Sequence, residues 1–156
     1  MSNIQHLLVA TDGSAGSLKA ATLAGDLARA LEAQVTVLMV QSEDAVLPHA
    51  WGVGEYPMAK PYATMPVDEI RGEFEKHARE NELPETAAAM GELPSTPVLA
   101  FQWGHAATEI CSYADDHGVD LIIIGSHGRS GLKRVLLGSV SHAVANSAHC
   151  PVTIVR

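Results

Sequence analysis

Apolar and polar positions change their period several times along this chain. Ile4 to Ala10 is a short apolar run, broken by Thr11-Asp12-Gly13-Ser14. From Ala15 to Ala33, Ala20, Leu23, Ala24, Leu27 and Leu31 recur at helical spacing, with Ser14 or Ser17 available as the N-cap. Val35 to Val40 reads as a second buried strand. Pro66 to Glu82 reads as an amphipathic helix, with Pro66 in its first turn and Val67, Ile70, Phe74 and Ala78 on one face. Leu83 to Ser95 holds Pro84, Gly91 and Pro94 and is expected to be irregular. Thr96 to Gln102 is a third strand, Ala106 to Asp116 a short helix ending near Gly118, and Val119 to Ile124 a fourth strand. After Asp120 that strand is apolar on both faces, as a central parallel strand requires. Leu132 to Ser147 reads as a helix with Leu132, Val135, Leu136, Val140, Ala143 and Val144 inward, and Pro151 to Val155 as the last strand. Strands alternating with helices predict α/β architecture: one open, doubly wound sheet of five mostly parallel strands with helices on both faces, in a single domain over residues 1–156.

Gln41 to Met65 departs from any period. It holds Pro48, Pro57 and Pro61 together with Trp51, Tyr56 and Tyr62. Two readings stand for such a connection: a lid or partner surface, or a loop covering one edge of its own core.

Composition narrows the function. The chain has 156 residues, 18 acidic against 10 basic, and a net charge of −8. That balance opposes general nucleic-acid binding and docking to anionic membranes, both of which need surplus Lys and Arg. The longest strongly apolar run, Leu121 to Ile124, is far too short for membrane insertion. The N-terminus lacks a basic segment before its apolar stretch, so no secretory signal is read. Cys111 and Cys150 are far apart and read as reduced thiols of a cytoplasmic protein, each packing as a small hydrophobe.

The segment Gly125-Ser126-His127-Gly128-Arg129-Ser130-Gly131 follows the most apolar strand and precedes a helix. Glycines admit a close backbone approach, and a helix N-terminus offers free N–H groups to an anion. The loop alone leaves two readings open, a phosphate cradle or a tight connection. The spacing matches neither the Walker A loop nor the G-x-G-x-x-G dinucleotide fingerprint.

Gly125-x2-Gly128-x9-Gly138-Ser139 is similar to the nucleotide-binding signature G-x2-G-x9-G-S/T of the universal stress protein family. Val119-Asp120-Leu121-Ile122 and Cys150-Pro151-Val152 extend the resemblance, which covers nearly the whole chain. The resemblance implies the ATP-binding branch of that family and a strand order 3-2-1-4-5. It assigns Asp12, in Thr11-Asp12-Gly13-Ser14, to the nucleoside and Val40 to the adenine site. That order sets strands one and four side by side at the topological switch point, where ligands bind in such sheets. Asp12 and Gly125 would flank one crevice, and Asp12 would accept hydrogen bonds from ribose hydroxyls or the adenine amine. Gly125 and Gly128 would let ribose and phosphates lie against backbone. Gly138, Ser139 and Val140 fall inside the last helical stretch, where a bend or break would expose N–H groups and the Ser139 hydroxyl to phosphate.

Arg129 and Lys133 are the cations expected near those phosphates, Arg129 through a bidentate contact. The expected site is therefore Thr11, Asp12, Val40, Gly125, Gly128, Arg129, Gly138, Ser139 and Val140, with ATP accompanied by Mg2+ or Mn2+. The histidines form no convincing metal site; His105 and Glu109 are one helical turn apart without an evident third ligand. The expected function is adenine-nucleotide binding as a signal or conformational ligand in a cytoplasmic stress-response protein, with no catalytic residue assigned. Two alternatives stand: slow ATP hydrolysis using Asp12 or His127, and an interaction module with a vestigial site that regulates a transporter or kinase. Members of the family usually pair through their last strand, so the resemblance also implies a homodimer through Pro151 to Val155.

Overall fold

The structure, a computed structural model, describes residues 3–46, 65–128 and 137–156. Its sheet has five strands in the order β3-β2-β1-β4-β5. These are β1 (His6–Thr11), β2 (Gln34–Gln41), β3 (Val98–Trp103), β4 (Leu121–Gly125) and β5 (Val152–Val155). Every pairing is parallel. The helices are α1 (Ala15–Leu31), α2 (Val67–His77), α3 (Leu83–Ala89), α4 (Ala106–Asp116) and α5 (Ser139–Ser147). A short 3-10 turn, Glu43–Ala45, follows β2. Trp51, Tyr56 and Tyr62, and so the proposed lid, lie outside the described residues, as do Leu132, Val135 and Leu136.

Alternation along the strands divides the core in two. Leu7, Val9, Val35, Val37, Met39, Leu121 and Ile123 pack toward α1 and α3. Leu8, Ala10, Leu38, Ile122 and Ile124 pack toward α4 and α5. The residues of β4 thus serve both faces, which is why that strand lacks a polar side. The half-buried thiols of Cys111 and Cys150 pack against the second cluster. Burial pushes both thiols up from their ordinary range, and Asp115 adds to the effect. Neutral thiols that pack as hydrophobes are the result.

Ser14 caps α1, accepting a hydrogen bond from the Ser17 amide. The helix buries its small residues, Ala20, Ala21, Ala24, Gly25 and Ala28, and leaves Leu31 exposed. Small side chains let α1 lie close to the sheet and to α3, whose C-terminal Met90 backbone sits against Gly25.

One expectation fails. Leu83 to Ser95 is not irregular throughout: helix continues from α2 through a π turn, Ala78–Glu82, into α3, which ends at Ala89. The buried positions explain it. Ile70, Phe74 and Ala78 follow at intervals of four, but the next buried residue is Leu83, five further on. One extra residue in the turn keeps the apolar face inward and sets Pro84 in the first turn of α3, where a missing N–H costs least. Among the described residues, no helix is long and apolar enough to cross a membrane.

Candidate functional site

The C-terminal ends of β1 and β4 lie side by side, where the connection from β1 runs to α1 and that from β4 runs on toward α5. A cavity of about 270 Å³ opens there. Leu38, Val40, Ile110 and Ile124 form its apolar wall, and Asp12, Gly128, Ser139 and Ser141 are among its polar rim. Thr11, Gly125, Gly138 and Val140 also line it. Every expected site residue except Arg129 is therefore brought to one cavity; Arg129 and Lys133 lie outside the described residues.

The parts are fixed by short-range bonds. Gly13 turns the chain after β1 with φ of 76°, a conformation that favours glycine. The Asp12 Oδ1 accepts from the Ser14 amide at 3.0 Å, so the carboxylate is held at the mouth of the turn. A Cβ on Gly128 would lie 2.7 Å from Asp12 Oδ2. Gly128 thus faces Asp12 directly.

The other two glycines of the spacing meet protein backbone. A Cβ on Gly125 would lie 2.8 Å from the carbonyl carbon of Gly16 and 3.1 Å from the Ser17 nitrogen. On Gly138 it would lie 2.9 Å from the Ser126 carbonyl oxygen. They let β4 approach α1, and the post-β4 loop approach α5.

The helix read over Leu132 to Ser147 does not run through Gly138: Ser139 and Val140 open α5 rather than lie within a longer helix. Gly138 is the extended N-cap of α5, and Ser139 is its first helical residue. Helix N-termini leave their first amides without intrahelical partners, so α5 presents N–H donors to the cavity without any bend.

Ser126 was not singled out by the sequence, yet it joins these parts. Its amide donates to the Val155 carbonyl at 2.7 Å, tying the end of β4 to β5. Its carbonyl accepts from the Gly138 amide at 2.7 Å and from the Ser141 hydroxyl at 3.2 Å, seating the start of α5. Its hydroxyl meets His127 Nδ1 at 2.8 Å. Thr11 turns its hydroxyl inward, 3.1 Å from that of Ser17 and 2.9 Å from that of Thr86 on α3. Thr86 belongs to the segment whose prolines and glycine read as irregular, which hides it from periodicity.

Cations are also more numerous than expected. Lys19 and Arg156 line an open groove that Gly128 and His127 share with the cavity. Lys19 is hidden in the sequence by its place on α1, more than a hundred residues before the glycine loop.

An open, all-parallel α/β sheet with a polar-rimmed, apolar-walled cleft at its switch point defines the class of doubly wound α/β proteins. The chain belongs to the universal stress protein family, whose family model matches residues 3–156. It is 39% identical over 152 residues to universal stress protein YxiE of Bacillus subtilis, covering 96% of this chain and 97% of that one. Universal stress protein UspA from Lactobacillus plantarum has the same fold, with a TM-score of 0.71, 24% identity and 100% of both chains covered. A universal stress protein solved in complex with cAMP gives a TM-score of 0.60 at 26% identity, covering 99% of this chain and 98% of that one.

Proposed function

We propose that this cleft binds an adenine nucleotide, ATP by preference, as a signal or conformational ligand in a cytoplasmic stress-response protein. The observation that carries the reading is the convergence on one cavity of Asp12, Gly128 and the N-terminus of α5 beside the apolar wall of Leu38, Val40 and Ile110. The apolar wall takes the base, Asp12 takes ribose hydroxyls, and the α5 amides with the Ser139 hydroxyl take phosphate. The cavity is slightly below the roughly 300–1,000 Å³ typical of ligand pockets. A nucleoside fits inside it, with the phosphates on the rim toward Gly128 and the Lys19 groove. The relative solved with cAMP supports an adenine ligand.

A divalent ion fits this arrangement only as a passenger on the phosphates. Among the described residues, no cluster of His, Cys, Asp or Glu forms a protein cage for a metal. Asp12 is the one carboxylate among the described lining residues. Magnesium sites built from phosphates, waters and one or two carboxylates need no more than that.

Binding is favoured over hydrolysis because, among the described residues, His127 Nδ1 pairs with the Ser126 hydroxyl and not with a carboxylate that would orient it as a general base. Mass spectrometry of ligand released from freshly purified protein should find an adenine nucleotide. Calorimetric titration of stripped protein should then rank ATP above GTP. Stripped, folded protein that takes up no adenine nucleotide overturns the reading.

The assembly proposed is a homodimer through β5. That strand is an edge of the sheet, with one face packed on each core cluster through Val155 and through Val152 and Ile154. An unpaired edge of this kind accepts a second strand, and C2 pairing would extend both sheets. Light scattering at micromolar concentration should give twice the 16.5 kDa chain mass. A monomeric mass there removes the proposal.

A further inference from the structure

The buried hydroxyls of the molecule gather around the cleft. Of the six polar residues buried among the described ones, Thr11, Ser17, Ser126 and Ser141 line the cavity, and Thr86 lies one hydrogen bond behind it. Thr86 belongs to α3 and is fully buried. A regular helix would not have put it there. Ala78 and Thr86 are eight residues apart, about 80° out of phase on a helix of 3.6 residues per turn. The π turn takes up one residue between them, so both reach the inward face. Such turns are rare and frequently occur at functional sites.

The hydrogen bonds run in one direction from the turn after β1 to α3. The Gly13 amide donates to the Thr11 hydroxyl at 3.1 Å. The Thr86 hydroxyl donates to the Glu82 carbonyl at 2.8 Å, so its oxygen meets Thr11 as an acceptor, 2.9 Å away. The Thr11 proton is shared between that oxygen and Ser17 Oγ at 3.1 Å. Ser17 in turn donates to the Ser14 carbonyl at 2.8 Å. Asp12 accepts from the Ser14 amide and is bracketed by Thr11 and Gly13, so each of its chain neighbours belongs to this network. Alternation along β1 places the Thr11 side chain with Leu7 and Val9, on the α1–α3 face. The strand end is thus braced from behind while Asp12 faces Gly128. We infer that Thr86 is a positioning residue for the nucleoside end of the cleft: its hydroxyl, through Thr11, fixes the turn that aims Asp12 at the ribose. The inference rests on the nucleotide reading above. Thr86 needs no contact with the ligand, because a buried and fully paired hydroxyl network holds the groups that do make contact.

Stripped parent, Thr86→Val and Thr86→Ser are titrated with ATP, after circular dichroism has confirmed the fold. Thr86→Val keeps nearly the same shape without the hydroxyl and should lower ATP affinity about three- to tenfold. Thr86→Ser keeps the hydroxyl and should stay within about twofold of the parent. The same Thr86→Val change is then made in an Asp12→Ala background, where it should cost less than about twofold, since the group it positions is gone. A purely structural Thr86 would lower the urea midpoint of Thr86→Val and leave the affinity of the folded protein alone. Where Thr86→Val does not fold, Thr86→Ala is read in its place. The inference is overturned if the folded variant without the hydroxyl binds ATP within about twofold of the parent, if Thr86→Ser loses as much as Thr86→Val, or if the loss persists in full without Asp12. Each of those results leaves ATP binding by the parent standing. A parent that binds no adenine nucleotide removes the nucleotide reading and the role of Thr86 with it.

Discussion

Gly128→Asp is expected to lower ATP affinity at least about a hundredfold, about 2.8 kcal/mol, while leaving the fold intact. A Cβ at this position would already lie 2.7 Å from Asp12 Oδ2, so the new carboxylate is forced beside an existing one. Two like charges this close repel, and a third set of negative charges arrives with the phosphates. Asp12 must swing off the bond it accepts from the Ser14 amide, and the nucleoside loses its ribose partner. The fold is spared because the atom approached is the end of one side chain and not backbone. Gly128→Ala meets the same oxygen without the charge and should cost about tenfold. Calorimetric titration with ATP measures both. Folded Gly128→Asp with parental affinity would sink the assignment of this loop to the phosphates.

Periodicity is a sound guide in this chain wherever it is unbroken. Leu121 to Ile124 reads as a central strand because each residue is apolar, and the structure shows alternate residues serving different cores. Ser14 stands as one of two N-cap choices, and its side chain takes the Ser17 amide. Periodicity fails at Ala78 to Leu83, where a π turn adds one residue to the repeat and Pro84 mimics a breaker. A helical template slides out of phase there, so α3 and its buried Thr86 disappear from the pattern.

The glycine spacing is legible as a motif, but the duties of its members are not. A missing side chain has no direction in a sequence. Only the fold shows that Gly125 and Gly138 abut protein backbone whereas Gly128 faces a carboxylate. Charges distant along the chain are hidden for a similar reason. Lys19 reaches the groove beside Gly128 because α1 begins next to the end of β4, a neighbourhood set by sheet order.

These different duties separate two classes of glycine variant, and Gly125→Val tests the distinction. Its Cβ would lie 2.8 Å and 2.9 Å from the carbonyl carbon and oxygen of Gly16, and 3.1 Å from the Ser17 nitrogen. All three are backbone atoms of the first turn of α1, which cannot rotate aside, and valine adds two branches to the intrusion. Overpacking of this kind costs about 1–3 kcal/mol, and the branched side chain places Gly125→Val at the upper end. Displacing α1 from β4 also moves the Ser14 amide that holds Asp12, so nucleotide affinity should fall together with stability. Gly72→Ala is the control. Gly72 lies on the exposed side of α2, and a methyl group there would have no neighbour within 4 Å. The substitution should add about 0.4–1 kcal/mol without touching ATP affinity. Urea unfolding and calorimetry on parent, Gly125→Val, Gly128→Asp and Gly72→Ala give four distinct signatures: unchanged, both lost, affinity lost alone, stability gained alone. A Gly125→Val protein as stable as the parent would show that β4 and α1 do not need the close approach seen between them.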